Sequence, residues 1–457
     1  MKLHASASQA KIVRYDAGGV EDAARVQRVS VAPGSVLIRH GPDGAAIVAV
    51  GSPGEVDLHE AAAATQERVS LPDSVLIPTL VNAHTHLDLT HIGPRPHNPA
   101  DGFLAFIGIV RPNRHTDPAL IAESVRRGVE LSLAGGTAAV GDIAGAAGGS
   151  ACAAAYHELA RSGLSGVSYL EFFAIGRGED EQRRRVERVV EDAPMARIRL
   201  GLQPHAPYSV SPGSYRWAME LARRRSLPIC THVGESPEER EFVAHARGPL
   251  RSLLERLAVW DDAILGGIGR GRSPVAHLTD ALAEASDGSR TPPMLAVHVN
   301  DASDGDIEAL ARVGASVVYC PRASAYFGAE RHYGPHRYRD MLGAGIPVGL
   351  GTDSIINLPD SASDAARGGI SVLDEMRMLF GRDGTDPRVL LAMATTHGAS
   401  ALGLDPERFA LGPGSTSAGI LAIDVSRTDP SRPTLERVMR SVGAPRWIAG
   451  AGAAAGA

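Results

Sequence analysis

Short apolar runs alternate with amphipathic segments through the middle of the chain. Eight runs are predicted to be strands, at 76–86, 137–143, 167–174, 198–205, 228–235, 294–300, 316–321 and 347–353. Helices are predicted between them, at about 118–134, 151–162, 179–192, 212–225, 237–258, 303–313, 367–380 and 387–402. Strands that are apolar throughout are typical of parallel sheets covered on both faces. The pattern therefore predicts an α/β fold with a (β/α)8 barrel at 76–404.

Other segments of the chain have different patterns. Residues 1–75 and the tail after Leu411 read as short strands separated by Gly and Pro, so we expect a small composite β-sandwich domain from 1–75 and 405–457. The segment 266–290 is predicted to be a surface insertion. A doubly wound open sheet is the alternative architecture, but no Gly-x-Gly-x-x-Gly motif follows the first strand.

Composition excludes several classes of protein. Hydrophobic residues make up 44% of the chain and charged residues 21%, as in ordinary globular proteins. A net charge of -6 argues against a nucleic-acid partner. Three dispersed cysteines fit a reducing cytoplasm. We see neither a signal-peptide pattern nor an apolar run of about 18 residues, so we expect a cytoplasmic protein without a membrane partner.

Polar side chains collect at the predicted C-terminal ends of the strands. His84 and His86 end the first strand and, as residues i and i+2, point to the same face, where one metal ion could bind both. Further strands end in a similar way, at His205, at His232 with Glu235, at His298 and at Asp353. The C-terminal ends of barrel strands carry the active site. This clustering predicts an enzyme site.

These motifs resemble the amidohydrolase superfamily, in particular its aminohydrolase and chlorohydrolase branch, which includes guanine deaminase and the methylthioadenosine/S-adenosylhomocysteine deaminases. The matching segments are 81–86, 205–208, the His232-x-x-Glu235 pair, His298 and 351–353. The resemblance covers essentially the whole chain. It implies one divalent metal held by His84, His86, His232 and Asp353, with Zn²⁺ expected and Fe²⁺ as the alternative.

The lysine content bears on the number of metal ions. Relatives with two ions bridge them with a carboxylated lysine, and the only lysines here are Lys2 and Lys11, ahead of the predicted barrel. A lysine bridge within the barrel is therefore excluded, and we expect a mononuclear site.

The resemblance also implies catalytic roles. Asp353 takes the proton of a water activated by the metal, His298 orients that water, and Glu235 transfers the proton to a ring nitrogen. The rival interpretation of Glu235 is a carboxylate in the first turn of a helix that begins at Ser236-Pro237.

Four residues are predicted to bind substrate. His205 is a contact by resemblance, or else supports a ligand. Phe103 and Phe106, just after the Pro-rich loop 91–102, form an apolar wall or pack the loop. Arg322 pairs with a carboxylate or carbonyl group. Relatives commonly show Cys-Pro-x-Ser-Asn around this position, and the chain departs from that pattern at 323–324.

Several polar residues receive no catalytic role. Asp88 is expected to brace a ligand histidine, and Asp142 and Glu171 to bind hydroxyls or brace the core. Most other histidines, among them His277 and His336, lie away from predicted strand ends and are expected at the surface.

The predicted function is hydrolytic deamination of an amino-substituted N-heterocycle such as an adenosine-like nucleoside. The alternatives are displacement of chloride or opening of a cyclic amide on a ring substrate, and a catalytically silent binding protein on the same barrel. The expected partner is a small molecule, and a homodimer is compatible with the sequence.

Overall fold

The computed structural model of the chain describes residues 11–23, 29–41, 44–194, 196–285 and 292–454. The N-terminal segment 1–10, where no signal-peptide pattern is seen, lies outside this description. Two sheets are present in the described ranges. Five strands precede the barrel: β1 (Lys11–Glu21), β2 (Ser30–Val31), β3 (Gly34–Gly41), β4 (Gly44–Gly51) and β5 (Glu67–Pro78).

The barrel sheet has eight parallel strands that are neighbours in sequence order. They are β6 (Leu80–Thr85), β7 (Thr137–Ala144), β8 (Ser165–Phe172), β9 (Arg199–Pro204), β10 (Ile229–Val233), β11 (Met294–His298), β12 (Ser316–Tyr319) and β13 (Val348–Leu350). The last strand returns to the first, because the backbone N–H groups of Thr352 and Asp353 donate to the His84 carbonyl at 3.0 and 3.1 Å. The predicted (β/α)8 barrel is confirmed.

The two chain ends join in one seven-stranded sheet, completed by β14 (Gly419–Asp424) and β15 (Arg446–Gly450). The strand order is β15-β14-β5-β1-β3-β4, and β2 pairs with β1. β5 connects the ends, since it pairs parallel with β1 and antiparallel with β14. The composite β domain is thus one continuous hydrogen-bonded sheet over the described residues.

Helices cover the outside of the barrel and its mouth. They are α1 (Pro53–Asp57), α2 (Phe103–Asn113), α3 (Pro118–Ala134), α4 (Ala154–Leu159), α5 (Glu179–Asp192), α6 (Pro212–Arg225), α7 (Pro237–His245), α8 (Pro249–Arg256), α9 (Pro274–Glu284), α10 (Asp304–Val313), α11 (Pro321–Phe327), α12 (Glu330–Tyr333), α13 (Tyr338–Gly343), α14 (Val372–Asp383), α15 (Pro387–Met393), α16 (Thr396–Ala401) and α17 (Thr434–Arg440). Several begin with a capping Ser or Asp followed by Pro, a combination that satisfies the first free amides. Among the described helices, none is both long and apolar enough to span a membrane.

The apolar run 76–86 is divided between the two sheets, so the predicted first barrel strand is too long. Leu76 and Ile77 pair with Ala422 and Leu421 of the terminal sheet. Pro78 still pairs with Ile420, and the Thr79 amide donates to the Gly419 carbonyl at 3.1 Å. The change of sheet comes at Leu80, whose amide donates to the Gly136 carbonyl ahead of β7. Hydrophobicity alone does not reveal such a change of sheet.

The prediction of a surface insertion at 266–290 is also wrong over much of its length. Helix α9 buries Val275, Leu278 and Leu282 and is the last of the three α-helices between β10 and β11. These residues have the i, i+3, i+7 spacing of one helix face, which the Gly- and Arg-rich flanks conceal. The single helix predicted at 237–258 is instead two helices, α7 and α8, and residues 286–290 lie outside the described ranges.

Candidate metal and active site

Five strand-end residues meet in a buried cluster at the C-terminal mouth of the barrel. His84 Nε2 lies 3.3 Å from His232 Nε2 and 3.5 Å from Asp353 Oδ1. His86 Nε2 lies 3.4 Å from the same Asp353 oxygen. The His298 ring centroid is 5.3 Å from that of His232 and 5.7 Å from that of His84.

The spacing of these atoms fits a metal ion. Ligands about 2.0–2.1 Å from a tetrahedral ion lie about 3.3–3.4 Å from one another, close to the separations observed here. Burial lowers the pKa of His86 to about 3, so the ring is neutral and has a lone pair to donate. Burial alone would raise the pKa of Asp353, but the rings of His84, His86 and His298 lower it below its ordinary value. Neutral imidazoles and an ionised carboxylate are a suitable donor set for a divalent cation.

Glu235 lies beside this cluster. Its Oε1 is 3.5 Å from His298 Nε2, and Glu235, His298 and Asp353 form one group of potential metal ligands. Burial, followed by the charge of Asp353, raises its pKa well above the ordinary value. Ser236 caps helix α7 by accepting from the Glu239 amide, so Glu235 precedes the helix and lines the cavity. This position does not fit the rival interpretation, in which Glu235 belongs to the first helical turn.

Two residues of the cluster have strained backbones. His298 has φ of 72° and Asp353 has φ of 56°, in the left-handed region that non-glycine residues rarely adopt. The His298 carbonyl accepts from Nε2 of His336 at 2.7 Å, while Nδ1 of His336 accepts from the Tyr338 amide. His336 is buried and supports the site, so the surface position expected for it is wrong, as it is for the buried His277.

A cavity of about 530 Å³ opens from the cluster. Phe103 and Phe106 of α2 line one part of it, with ring centroids 6.0 Å apart, and Leu250 and Leu254 of α8 line another. His205 also lines the cavity, with its ring centroid 5.1 Å from that of His232. The structure thus brings these three predicted substrate residues to the predicted site.

An arginine links two buried acids at the cavity wall. Arg114 donates from Nε to Asp88 at 3.1 Å and from Nη1 to Glu171 at 2.9 Å. Glu171 in turn lies 3.9 Å from Nε2 of His205. Asp142 accepts from the Leu87 amide at 3.0 Å and so braces the chain just after His86.

The comparisons with known proteins identify the family. The model of the amidohydrolase family matches residues 75–414, most of the chain. The chain belongs to the amidohydrolase family.

Individual members of this family resemble the chain over most of its length. Aminodeoxyfutalosine deaminase from Deinococcus radiodurans is 30% identical over 388 residues, which cover 81% of this chain and 82% of the relative. A 5-methylthioadenosine/S-adenosylhomocysteine deaminase from Haloarcula marismortui is 27% identical over 425 residues, covering 88% and 83%. The crystal structure of atrazine chlorohydrolase TrzN from Arthrobacter aurescens, complexed with zinc, matches with a TM-score of 0.67 at 19% identity, covering 96% and 94%. The resemblance to the amidohydrolase family and to its deaminases is confirmed, and the likeness to the chlorohydrolase structure shows a shared fold.

Arg322 is the one predicted substrate residue of this amidohydrolase that does not line the cavity. Its side chain turns to α14, where Nε donates to Glu375 and Nη2 donates to the Ser371 carbonyl at 2.9 Å. Because the guanidinium is already paired with a fully buried carboxylate, we correct the expectation that it binds substrate.

Other arginines line the cavity and were missed by sequence reasoning. Arg114 lies within it, and Arg111 and Arg177 are exposed members of its lining. Neither Arg111 nor Arg177 has a carboxylate partner among the described residues. The available signal was position, since Arg111 and Arg114 follow the Phe103–Phe106 segment that the sequence analysis singled out.

Proposed function

We propose that this amidohydrolase removes the amino group of an adenosine-like nucleoside by hydrolysis, with one divalent metal ion at its site. The observation that carries the proposal is Glu235, a buried carboxyl 3.5 Å from His298 and grouped with Asp353, in a chain similar over most of its length to deaminases. Deamination of a ring requires an acid that protonates the ring and later the departing amine. We assign that role to Glu235.

Four residues are proposed to hold the ion: His84, His86, His232 and Asp353. Three neutral imidazoles and one carboxylate suit Zn²⁺, and Fe²⁺ is the alternative. A divalent ion bound there supplies a nucleophile at neutral pH, because it lowers the pKa of water to about 7. The absence of lysine after Lys11 supports a single ion.

The residues around the ion divide the proton transfers. Asp353 is ionised and accepts the proton of the attacking water. His298, on its strained backbone, orients that water. Glu235 gives its proton to the ring nitrogen next to the attacked carbon, takes up the proton of the hydroxyl in the adduct, and passes that proton to the leaving amine, so that ammonia departs as a neutral molecule. The proton held by Asp353 then returns to Glu235.

The shape of the cavity supports a substrate with two different ends. A planar ring can stack in the polar end near Phe103 and His205. The wall formed by Leu250 and Leu254 suits an apolar substituent that extends outward. Arg111 and Arg177 add positive charge to the lining, which suits a substrate that carries a carboxylate far from its ring.

A coupled ammonia assay on metal-loaded protein tests the proposal. The panel consists of adenosine, methylthioadenosine, S-adenosylhomocysteine, an aminodeoxyfutalosine-like nucleoside, guanine, cytosine and aminotriazines. Ammonia from a nucleoside supports the proposal. Chloride release from a chlorinated ring, or opening of a cyclic amide, without ammonia from any aminated ring, refutes deamination. No turnover of any compound by protein that binds no metal favours the silent-barrel alternative. The cytoplasmic location and the homodimer stay predictions from the sequence.

A further inference from the structure

The carboxylate of Glu171 has one oxygen bound to the protein and one that faces the cavity. Oε2 accepts from Arg114 at 2.9 Å and from the Ala146 amide at 3.0 Å. Oε1 has no hydrogen-bond donor among the described residues, and its one ion-pair contact is Nε2 of His205 at 3.9 Å. The residue is only 2% exposed and lines the cavity. Oε1 is therefore an acceptor without a donor among the described residues, on a buried residue that lines the cavity.

Arg114 holds the Glu171 carboxylate in position and keeps it ionised. Its guanidinium donates to Glu171 and to Asp88 at once, an arrangement that the planar fork of arginine permits. Burial would raise the pKa of Glu171, but the charge of Arg114 is the largest of the effects that lower it to about 2. At neutral pH the free oxygen can only accept hydrogen bonds.

The position of Glu171 indicates which part of a substrate reaches it. Glu171 groups with His205 and His232, whereas Glu235 groups with His298 and Asp353. A nucleoside whose aminated ring edge contacts Glu235 extends its remaining atoms past His205 toward Glu171. The next part of a nucleoside is its sugar, whose hydroxyls are hydrogen-bond donors.

We infer that Glu171 binds the vicinal hydroxyls of the ribose and that Arg114 is the positioning residue that holds it. This inference rests on the proposed nucleoside deamination and names the sugar contact of the same site. Two hydroxyls on adjacent carbons offer two O–H donors to one carboxylate. A chlorinated triazine or a free base offers no such pair.

The test compares adenosine with its 2′,3′-dideoxy analogue in the wild-type enzyme and in Glu171→Gln. A hydrogen bond to a charged group gives the wild type about a 10- to 100-fold preference in kcat/KM for the ribose form. In Glu171→Gln the preference falls to a few-fold, mostly through KM for the ribose form. Because the ratio is measured within each variant, a smaller folded fraction cancels.

The Arg322–Glu375 pair provides matched controls. Glu375 is fully buried and accepts from an arginine as Glu171 does, but lies outside the cavity lining. Glu375→Gln and Arg322→Lys should keep the wild-type preference, while Arg114→Lys should lower it, since lysine has no fork to bind both acids.

Three outcomes overturn the inference. An unchanged ribose preference in Glu171→Gln, with ammonia still released, refutes the sugar contact alone. A second metal equivalent that disappears in Glu171→Gln makes Glu171 a ligand instead. Absence of ammonia from every nucleoside removes the proposed function together with this inference.

Discussion

Replacing Glu235 with glutamine removes the proposed proton donor while keeping the shape of its side chain. The backbone contacts of Glu235 stay the same, because its amide donates to Glu239 at 2.8 Å and its carbonyl accepts from Asn300 at 3.2 Å. Its side chain makes no capping bond to α7. We therefore expect the free energy of unfolding to change by less than about 1 kcal/mol.

The catalytic effect should be much larger. The next two carboxyls along the chain do not line the cavity: Glu238 accepts from the Phe103 amide and Glu239 from the Glu235 amide. With no replacement acid there, we expect kcat to fall at least about 10²-fold, which corresponds to about 2.7 kcal/mol of activation free energy. Metal content should remain about one equivalent, since His84, His86, His232 and Asp353 are unchanged.

Steady-state ammonia release and elemental analysis on the same preparations test this prediction. Glu239→Gln is the matched control: burial raises the pKa of Glu239 to about 8, so at pH 7 the change replaces one neutral side chain with another. The control should retain turnover within about threefold. Near-normal kcat in Glu235→Gln would refute the proton-transfer role, and loss of the metal in that variant would make Glu235 a ligand.

Three further predictions address the metal, the cavity mouth and stability. Wild-type protein should contain about one metal equivalent by elemental analysis, and His84→Ala should lose both metal and activity; two tightly bound ions per chain would contradict the mononuclear site. Arg177→Ala and Arg111→Ala should each raise KM about two- to fivefold for nucleosides with a distal carboxylate, which is the effect of losing one exposed ion pair, and should leave KM for adenosine unchanged. Arg322→Ala should leave KM unchanged for both kinds of substrate. Burial lowers the pKa of His277 to about 4, so the unfolded chain takes up the proton first, and stability falls as the pH drops from about 6.5 to about 4. In His277→Gln, the free energy of unfolding should lose up to about 3 kcal/mol less over this pH range, as measured by urea unfolding at several pH values. An identical pH dependence in the variant and the wild type would refute this role of His277.

The sequence predicts a feature well where a single segment of the chain determines it. Buried parallel strands are continuous apolar runs, and the residue at the end of each run, such as His298 or Asp353, must lie at the same end of the barrel. Arginine partners could not be predicted in this way. Arg114 meets Asp88 and Glu171 across separations of 26 and 57 residues, and Arg322 meets Glu375 across 53. Which arginine faces the cavity therefore depends on packing between distant segments.

The strained residues show how the barrel holds its chemistry in place. A left-handed backbone at His298 and at Asp353 costs of order 1–3 kcal/mol each, so surrounding contacts must maintain it. For Asp353 they are the hydrogen bonds from its own amide and that of Thr352 to the His84 carbonyl, and for His298 the bond from His336 to its carbonyl. The bonds that close the barrel thus join one proposed ligand, His84, directly to another, Asp353. Closure of the sheet consequently also fixes these two proposed ligands relative to each other. A substitution that weakens the contact between β6 and β13 should therefore weaken metal binding before it unfolds the barrel.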